Sequence, residues 1–189
     1  MSSIVEICNM GLTLIGDQVI TALSDSNDRA KVATLHYEPT RDAVLRAHPW
    51  GFAKTRVELA QAAGSPDFGY EYHFTLPTDP KCLRVLSLEE DYPGQIPYSV
   101  EGRKLLCDES DVSILYIAQI VDSGVFDSLF TDTLAARLAW NFAMALSKQK
   151  TLIELAANVY QSKIGEARTT DGLESVKQEI YNDTLTRVR

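Results

Sequence analysis

The chain has 189 residues, 45% hydrophobic and 23% charged, a balance that excludes a disordered or fibrous protein and suits one folded domain, or one with a small insertion. Its formal net charge of -8 argues against tight nucleic-acid binding, because neutralising phosphates needs clustered Lys and Arg. No stretch approaches the ~20 uncharged apolar residues of a membrane span, and the opening "MSSIVEICNMGLTLIGD" lacks a basic start and carries Glu6 inside its apolar run, so an intracellular protein without membrane attachment is expected.

The first predicted element is a helix beginning at Ser3. Ile4, Ile7, Cys8, Gly11, Leu12 and Ile15 recur at helical spacing, and Ser3 with Glu6 matches the capping box in which each side chain satisfies an orphan amide. Gly16 is the expected stop, and Val19, Ile20 and Leu23 pin the connector that follows. A second helix starts near Asn27 and presents Ala30, Ala33, Tyr37, Val44 and Ala47, with Pro39 expected to bend or divide it. It ends in "RDAVLRAHPWGFAK". Pro49 disfavours helical dihedrals at His48, and Trp50 and Phe52 supply large apolar surface where helix gives way to strand. His48, Pro49, Trp50 and Phe52 are therefore expected to form a structural corner.

Beyond it the pattern is β-rich. "FAKTRVELA", "YEYHFTL", "CLRVLSL", "IPYSV", "KLLC" and "VSILYIAQI" are short, β-branched or aromatic runs separated by Gly, Pro or Asp. "VEGRK" reads as a hairpin turn, "SPDFG" and "DYPG" as loops, and antiparallel pairing follows. Helical period returns after Asp127, with Asp127 or Thr131 as cap and Leu134, Leu138, Phe142, Ala145 and Leu146 as one stripe. A second capping-box match, Thr151 with Glu154, opens a further helix presenting Ile153, Ala156, Ala157, Tyr160 and Ile164. After Gly165 the text is polar and loses its period, which predicts a surface arm that becomes ordered on binding a partner.

The expected architecture is thus α+β. An antiparallel helical bundle is built from the N- and C-terminal helices (1–50 and 125–167), with an inserted antiparallel β-rich subdomain (51–124) and an extended C-terminal arm (168–189).

Chemistry is sparse. Dinucleotide, P-loop and nucleophile-elbow motifs are missing from the text. His36, His48 and His73 fall in different elements without metal-ligand spacing, and Cys8, Cys82 and Cys107 are scattered, as buried thiols are. Glu89, Glu90 and Asp91 read as a solvated acidic loop. Tyr70, Tyr72 and Phe74, with Lys54 and Arg56, could form a base-stacking platform, but alternating aromatics also suit a half-buried strand, and Asp67, Glu71 and Asp79 would repel phosphate. No catalytic, cofactor-binding or metal-ligating residue is assigned, and the chain is not expected to be an enzyme.

Several segments together resemble one family, the head-to-tail adaptors of short-tailed bacteriophages known as tail tubular protein A. They are "ICNMGLTLIGDQVITALSDSNDRAKVATLHYEPTRDAVLRAHPWGFAK", "YEYHFTLPTDPKCLRVLSL", "LAARLAW" and "LAANVYQSKIGEARTTDG". The most specific text is the "LxxIG" helix end, the "V-x-x-L-x-D" connector and "R-D-x-V-L-R-x-H-P-W-x-F-A".

The resemblance implies a structural protein of the virion, located at the head-tail interface and assembled in the host cytoplasm. It implies a ring, typically of about twelve copies, between the portal protein and the tail nozzle protein. Double-stranded DNA would pass through the ring without sequence-specific binding, no cofactor is implied, and an acidic lumen would repel the duplex so that it slides. In similar proteins the C-terminal segment enters the portal, which would make Arg168, Thr170, Leu173, Val176, Ile180, Tyr181, Leu185 and Arg189 portal contacts. The alternative is a small-molecule hydrolase of unknown substrate, which would need a histidine to converge with a carboxylate in one cleft.

Overall fold

The structure, a computed structural model, describes residues 2–88, 96–147 and 149–174, the last four by backbone alone. It is α+β, with four α-helices and two three-stranded antiparallel sheets.

Helix α1 (Ile4–Leu14) starts where local chemistry dictates. Ser3 Oγ accepts from Glu6 N at 3.2 Å, and Glu6 Oε2 accepts from Ser3 N at 2.6 Å. It stops at Gly16, whose φ of 71° lets Gly16 N and Asp17 N turn back to the carbonyls of Thr13 and Leu12. In the connector Ile20 is buried and Leu23 packs against the core, but Val19 is exposed. Asn9 fixes this segment, donating through Nδ2 to Ile20 O (2.9 Å) and accepting at Oδ1 from Ile20 N (2.8 Å).

Helix α2 (Asp28–Ala47) is capped by Asn27, whose Oδ1 accepts from Ala30 N at 2.8 Å. It runs undivided through Pro39. Pro39 and Leu35, one turn earlier, both face solvent, so the carbonyl that loses its amide partner meets water. Tyr37 and Val44 hold the two halves in the core.

All six expected strands form: β1 (Lys54–Leu59), β2 (Tyr72–Thr75), β3 (Cys82–Leu88), β4 (Tyr98–Glu101), β5 (Lys104–Cys107) and β6 (Val112–Ala118). The first begins at Lys54 because Gly51–Ala53 closes a 3-10 turn. One sheet has the order β1-β6-β3, the other β2-β5-β4. β1 and β6 pair from Lys54↔Ile117 to Leu59↔Val112, so the first and last strands of the β region lie side by side. The expected hairpin joins β4 and β5, with Gly102 at φ 59° in its turn. The acidic run Glu89–Asp91 and the "DYPG" loop lie outside the described residues.

Helix α3 (Ser128–Phe142) is capped by Asp127, whose Oδ1 accepts from Leu129 N (2.7 Å) and Phe130 N (3.4 Å). It is the hub of the helices, packing on α1, α2 and the final helix α4 (Lys150–Glu174). Gly11 of α1 permits the closest approach. A Cβ there would sit 3.1 Å from Ala135 O and 3.2 Å from Leu138 Cβ. Leu134, Leu138 and Phe142 are buried as expected, whereas Ala145 is exposed. A π-helical turn over Ala143–Ser147 shifts the helical phase, so Ala143 takes the buried place.

The C-terminal expectations need two corrections. Helix α4 begins at Lys150, which places Thr151 inside the helix instead of at its N-cap. It also continues through Gly165 to Glu174, so the first part of the expected arm, residues 168–174, is helix. Ala167, buried at 1% exposure, extends the apolar stripe of Ala156 and Ile164 past Gly165 and anchors that extra length.

Two apolar clusters result. The larger joins the four helices with Trp50, Ala53 and Ile117. The smaller lies within the β region, around Phe74, Leu105, Ile114 and Tyr116.

Candidate interaction surfaces

The corner is a packed aromatic node. His48 ends α2 with extended dihedrals (φ -140°, ψ 146°), as a residue before proline must. Trp50 is 3% exposed, and its Nε1 donates to Val44 O at 2.9 Å. Its indole meets the His48 ring edge-on at 4.9 Å and the Phe130 ring edge-on at 5.1 Å. Phe52 continues the cluster to Phe126 and Phe130, while Pro49 is half-buried beside it. These residues tie the end of α2 to the start of α3.

Two of the expected portal contacts are described in full. Arg168 is exposed on α4, and Thr170 is half-buried on the same helix, its Oγ1 donating to Glu166 O at 3.2 Å. Thr170 and Ala167 border a hollow of about 120 Å³ whose other walls include Trp50, Phe52, Asp127 and Leu129. The corner and the beginning of the expected arm therefore meet at one place. Leu173 is described only as helical backbone, and Val176, Ile180, Tyr181, Leu185 and Arg189 lie outside the described residues.

The polar groups considered for chemistry are dispersed. His36 is on α2, His48 in the aromatic node, and His73 on β2, where its Nε2 lies 3.1 Å from Ala63 O. No group of three or more His, Cys, Asp and Glu suited to a metal occurs among the described residues. The three cysteines are buried. Desolvation pushes the Cys8 thiol up to about 12 and raises Cys82 and Cys107 as well, which keeps them protonated and poorly nucleophilic. No described helix is long and apolar enough to cross a membrane. The aromatic platform is split, because Tyr72 and Phe74 lie in one sheet and Lys54 and Arg56 in the other, and Phe74 is buried.

One surface was not legible beforehand. A cleft of about 570 Å³ opens between the edge strands β3 and β4, lined by Arg46, Lys81, Arg84 and Arg103 together with Leu83, Tyr98 and Val100. Arg46 Nη1 donates to Leu83 O at 2.7 Å, and Arg103 Nη2 donates to Leu76 O (3.2 Å) and Pro77 O (2.5 Å). Both guanidinium groups are thus bonded to backbone, and among the described residues the cleft wall has no carboxylate. The four cations come from α2, β3, the residue before β3 and the β4–β5 turn, so only the folded chain brings them together. The available sequence signal was indirect, namely basic residues recurring on both sides of short strands in an acidic chain.

No protein-family model matches this chain, and no curated protein matches its sequence.

Proposed function

We propose that the chain is a structural head-to-tail adaptor of a short-tailed bacteriophage, assembling as a ring between portal and tail nozzle through which double-stranded DNA passes. In this reading α1, α2, α3 and α4 form a helical bundle with β1–β6 as its inserted subdomain. The protein acts through its interfaces, with no reaction of its own.

The observation that carries the proposal is the fate of the most specific resemblance-bearing text. "R-D-x-V-L-R-x-H-P-W-x-F-A" becomes the node where the end of α2, the entry to β1 and the start of α3 are locked together. Such a pattern is one of packing, as expected of a scaffold whose product is shape. The long α4 adds an extended helical surface whose last described turns border this same node.

Native mass spectrometry and negative-stain imaging of the protein, alone and with portal, test this reading. A ring bound to portal is expected, and protease protection of residues after 168 should appear when portal is added. A monomer that never joins a portal overturns it. An inner wall lined mainly by Lys and Arg would overturn the sliding role assigned to the acidic balance.

A further inference from the structure

The cation-lined cleft has a counterpart at the other end of the same strands. β5 leads from the Gly102–Arg103 turn at the cleft to Cys107, and the next residues are Asp108, Glu109 and Asp111, all exposed. β6 then starts at Val112 and returns to Ala118, which pairs with Cys82 beside Lys81. Four strand residues on β5 and seven on β6 separate the two features by roughly 15–20 Å. The β region thus has a basic pole and an acidic pole.

Each pole is built for contact. In the basic cleft, Arg84 Nε is buried without a hydrogen-bond partner, a state that costs free energy unless an incoming acceptor meets the group. The cleft wall contains no Asp or Glu among the described residues, whereas the chain as a whole carries a net charge of -8. The two strands that border it, β3 and β4, are sheet edges, and Tyr98 and Val100 offer apolar surface between the charges. The acidic turn is held in shape by hydrogen bonds to Glu71 and within itself. Asp108 Oδ1 accepts from Glu71 N at 3.0 Å, and Ser110 Oγ donates to Asp111 Oδ2 at 2.9 Å. The carboxylates are therefore presented on a fixed turn.

We propose that the Asp108–Asp111 turn of one copy docks in the Arg46, Lys81, Arg84 and Arg103 cleft of the next copy. Because donor and acceptor surfaces differ, the contact is head-to-tail, and repeating it yields a ring when the rotation per copy closes. The inference deepens the adaptor reading and rests on it for closure, since the poles alone specify direction and not ring size. The contact between exposed charges is weak singly and salt-sensitive; in a closed ring each copy is held on two sides, which raises its effective affinity.

A charge swap tests it. One variant carries Lys81→Glu and Arg103→Glu, and the other carries Asp108→Lys and Glu109→Lys, each checked for folding by circular dichroism. Sedimentation from micromolar to millimolar protein at low salt should show wild-type self-association that weakens about tenfold or more at high salt. Each variant alone should remain monomeric, and an equimolar mixture should associate, because the reversed cleft of the first accepts the reversed turn of the second while the unaltered turn of the first fits the unaltered cleft of the second. Lys81→Glu alone, at an exposed position, should show an intermediate loss. Wild-type protein that stays monomeric across the range, variants that associate like wild type, or a folded mixture that fails to associate would each overturn the contact. Portal binding by such a protein would leave the adaptor reading standing, so the two failures are distinguishable.

Discussion

The indole Nε1 of Trp50 donates to the carbonyl oxygen of Val44 across 2.9 Å, so the residue that leaves α2 is bonded to the helix's own last turns. Val44 itself is buried at 1% exposure, and the bond spares its carbonyl the cost of an empty acceptor at the helix end. The same ring fills the space beside Phe130, which makes one side chain both a C-terminal clasp and a core plug.

Trp50→Ala should therefore lower stability by about 3–5 kcal/mol, whereas Trp50→Phe should cost less, retaining much of the ring area but losing the bond to Val44. Urea denaturation of both variants checks this. A loss near zero for Trp50→Ala would contradict the burial of the indole.

Two glycines should respond in opposite directions to the same change. Gly11→Ala places a Cβ against the Ala135 carbonyl oxygen and the Leu138 and Phe142 side chains at 3.1–3.2 Å, and a backbone atom cannot yield cheaply, so a loss of about 1–3 kcal/mol is expected. Gly165→Ala meets nothing within 4 Å in the middle of α4 and should raise stability by up to about 1 kcal/mol. Thermal melts of the pair would read the difference directly.

Stability should fall in alkali. Burial pushes Cys8 from an ordinary 9.0 to about 12 and Tyr37 from 10.0 to about 12, so both are neutral in the fold and charge more readily when unfolded. Their contribution is complete below about pH 9 and is lost as pH rises toward 12, at up to about 1.4 kcal/mol per pH unit for each group. Denaturation midpoints measured from pH 8 to 11 should decline, and Cys8→Ala with Tyr37→Phe should flatten the decline.

Asn9→Ala removes both bonds to Ile20 and should cost about 1–3 kcal/mol by leaving the Ile20 amide and carbonyl without these partners. Hydrogen exchange at Ile20 should accelerate in the same variant. An unchanged rate would mean that the connector is fixed by packing alone.

Local chemistry made much of the fold legible in the sequence. Ser3, Asn27 and Asp127 start helices through their own side-chain oxygens, and Gly102 turns a hairpin, so each signal lies within a few residues of its effect. What escaped the reading was decided at a distance. The exposure of Ala145 depends on a π turn, and the continuation of α4 past Gly165 depends on Ala167 finding the core. The basic cleft was hidden for the same reason, because Arg46 and Arg103 are 57 residues apart and only the fold makes them neighbours. The aromatic corner, compressed into five consecutive residues, was readable as a structural feature.

The side-by-side pairing of β1 with β6 has a mechanical meaning. A region joined to its neighbours by one strand can swivel about that strand, whereas two strands hydrogen-bonded along six residue pairs act as a double hinge plate that resists twisting. The entry of the chain into the β region at Lys54 and its exit at Ala118 thus lie next to each other, beside Ala53 and Ile117 of the larger apolar cluster.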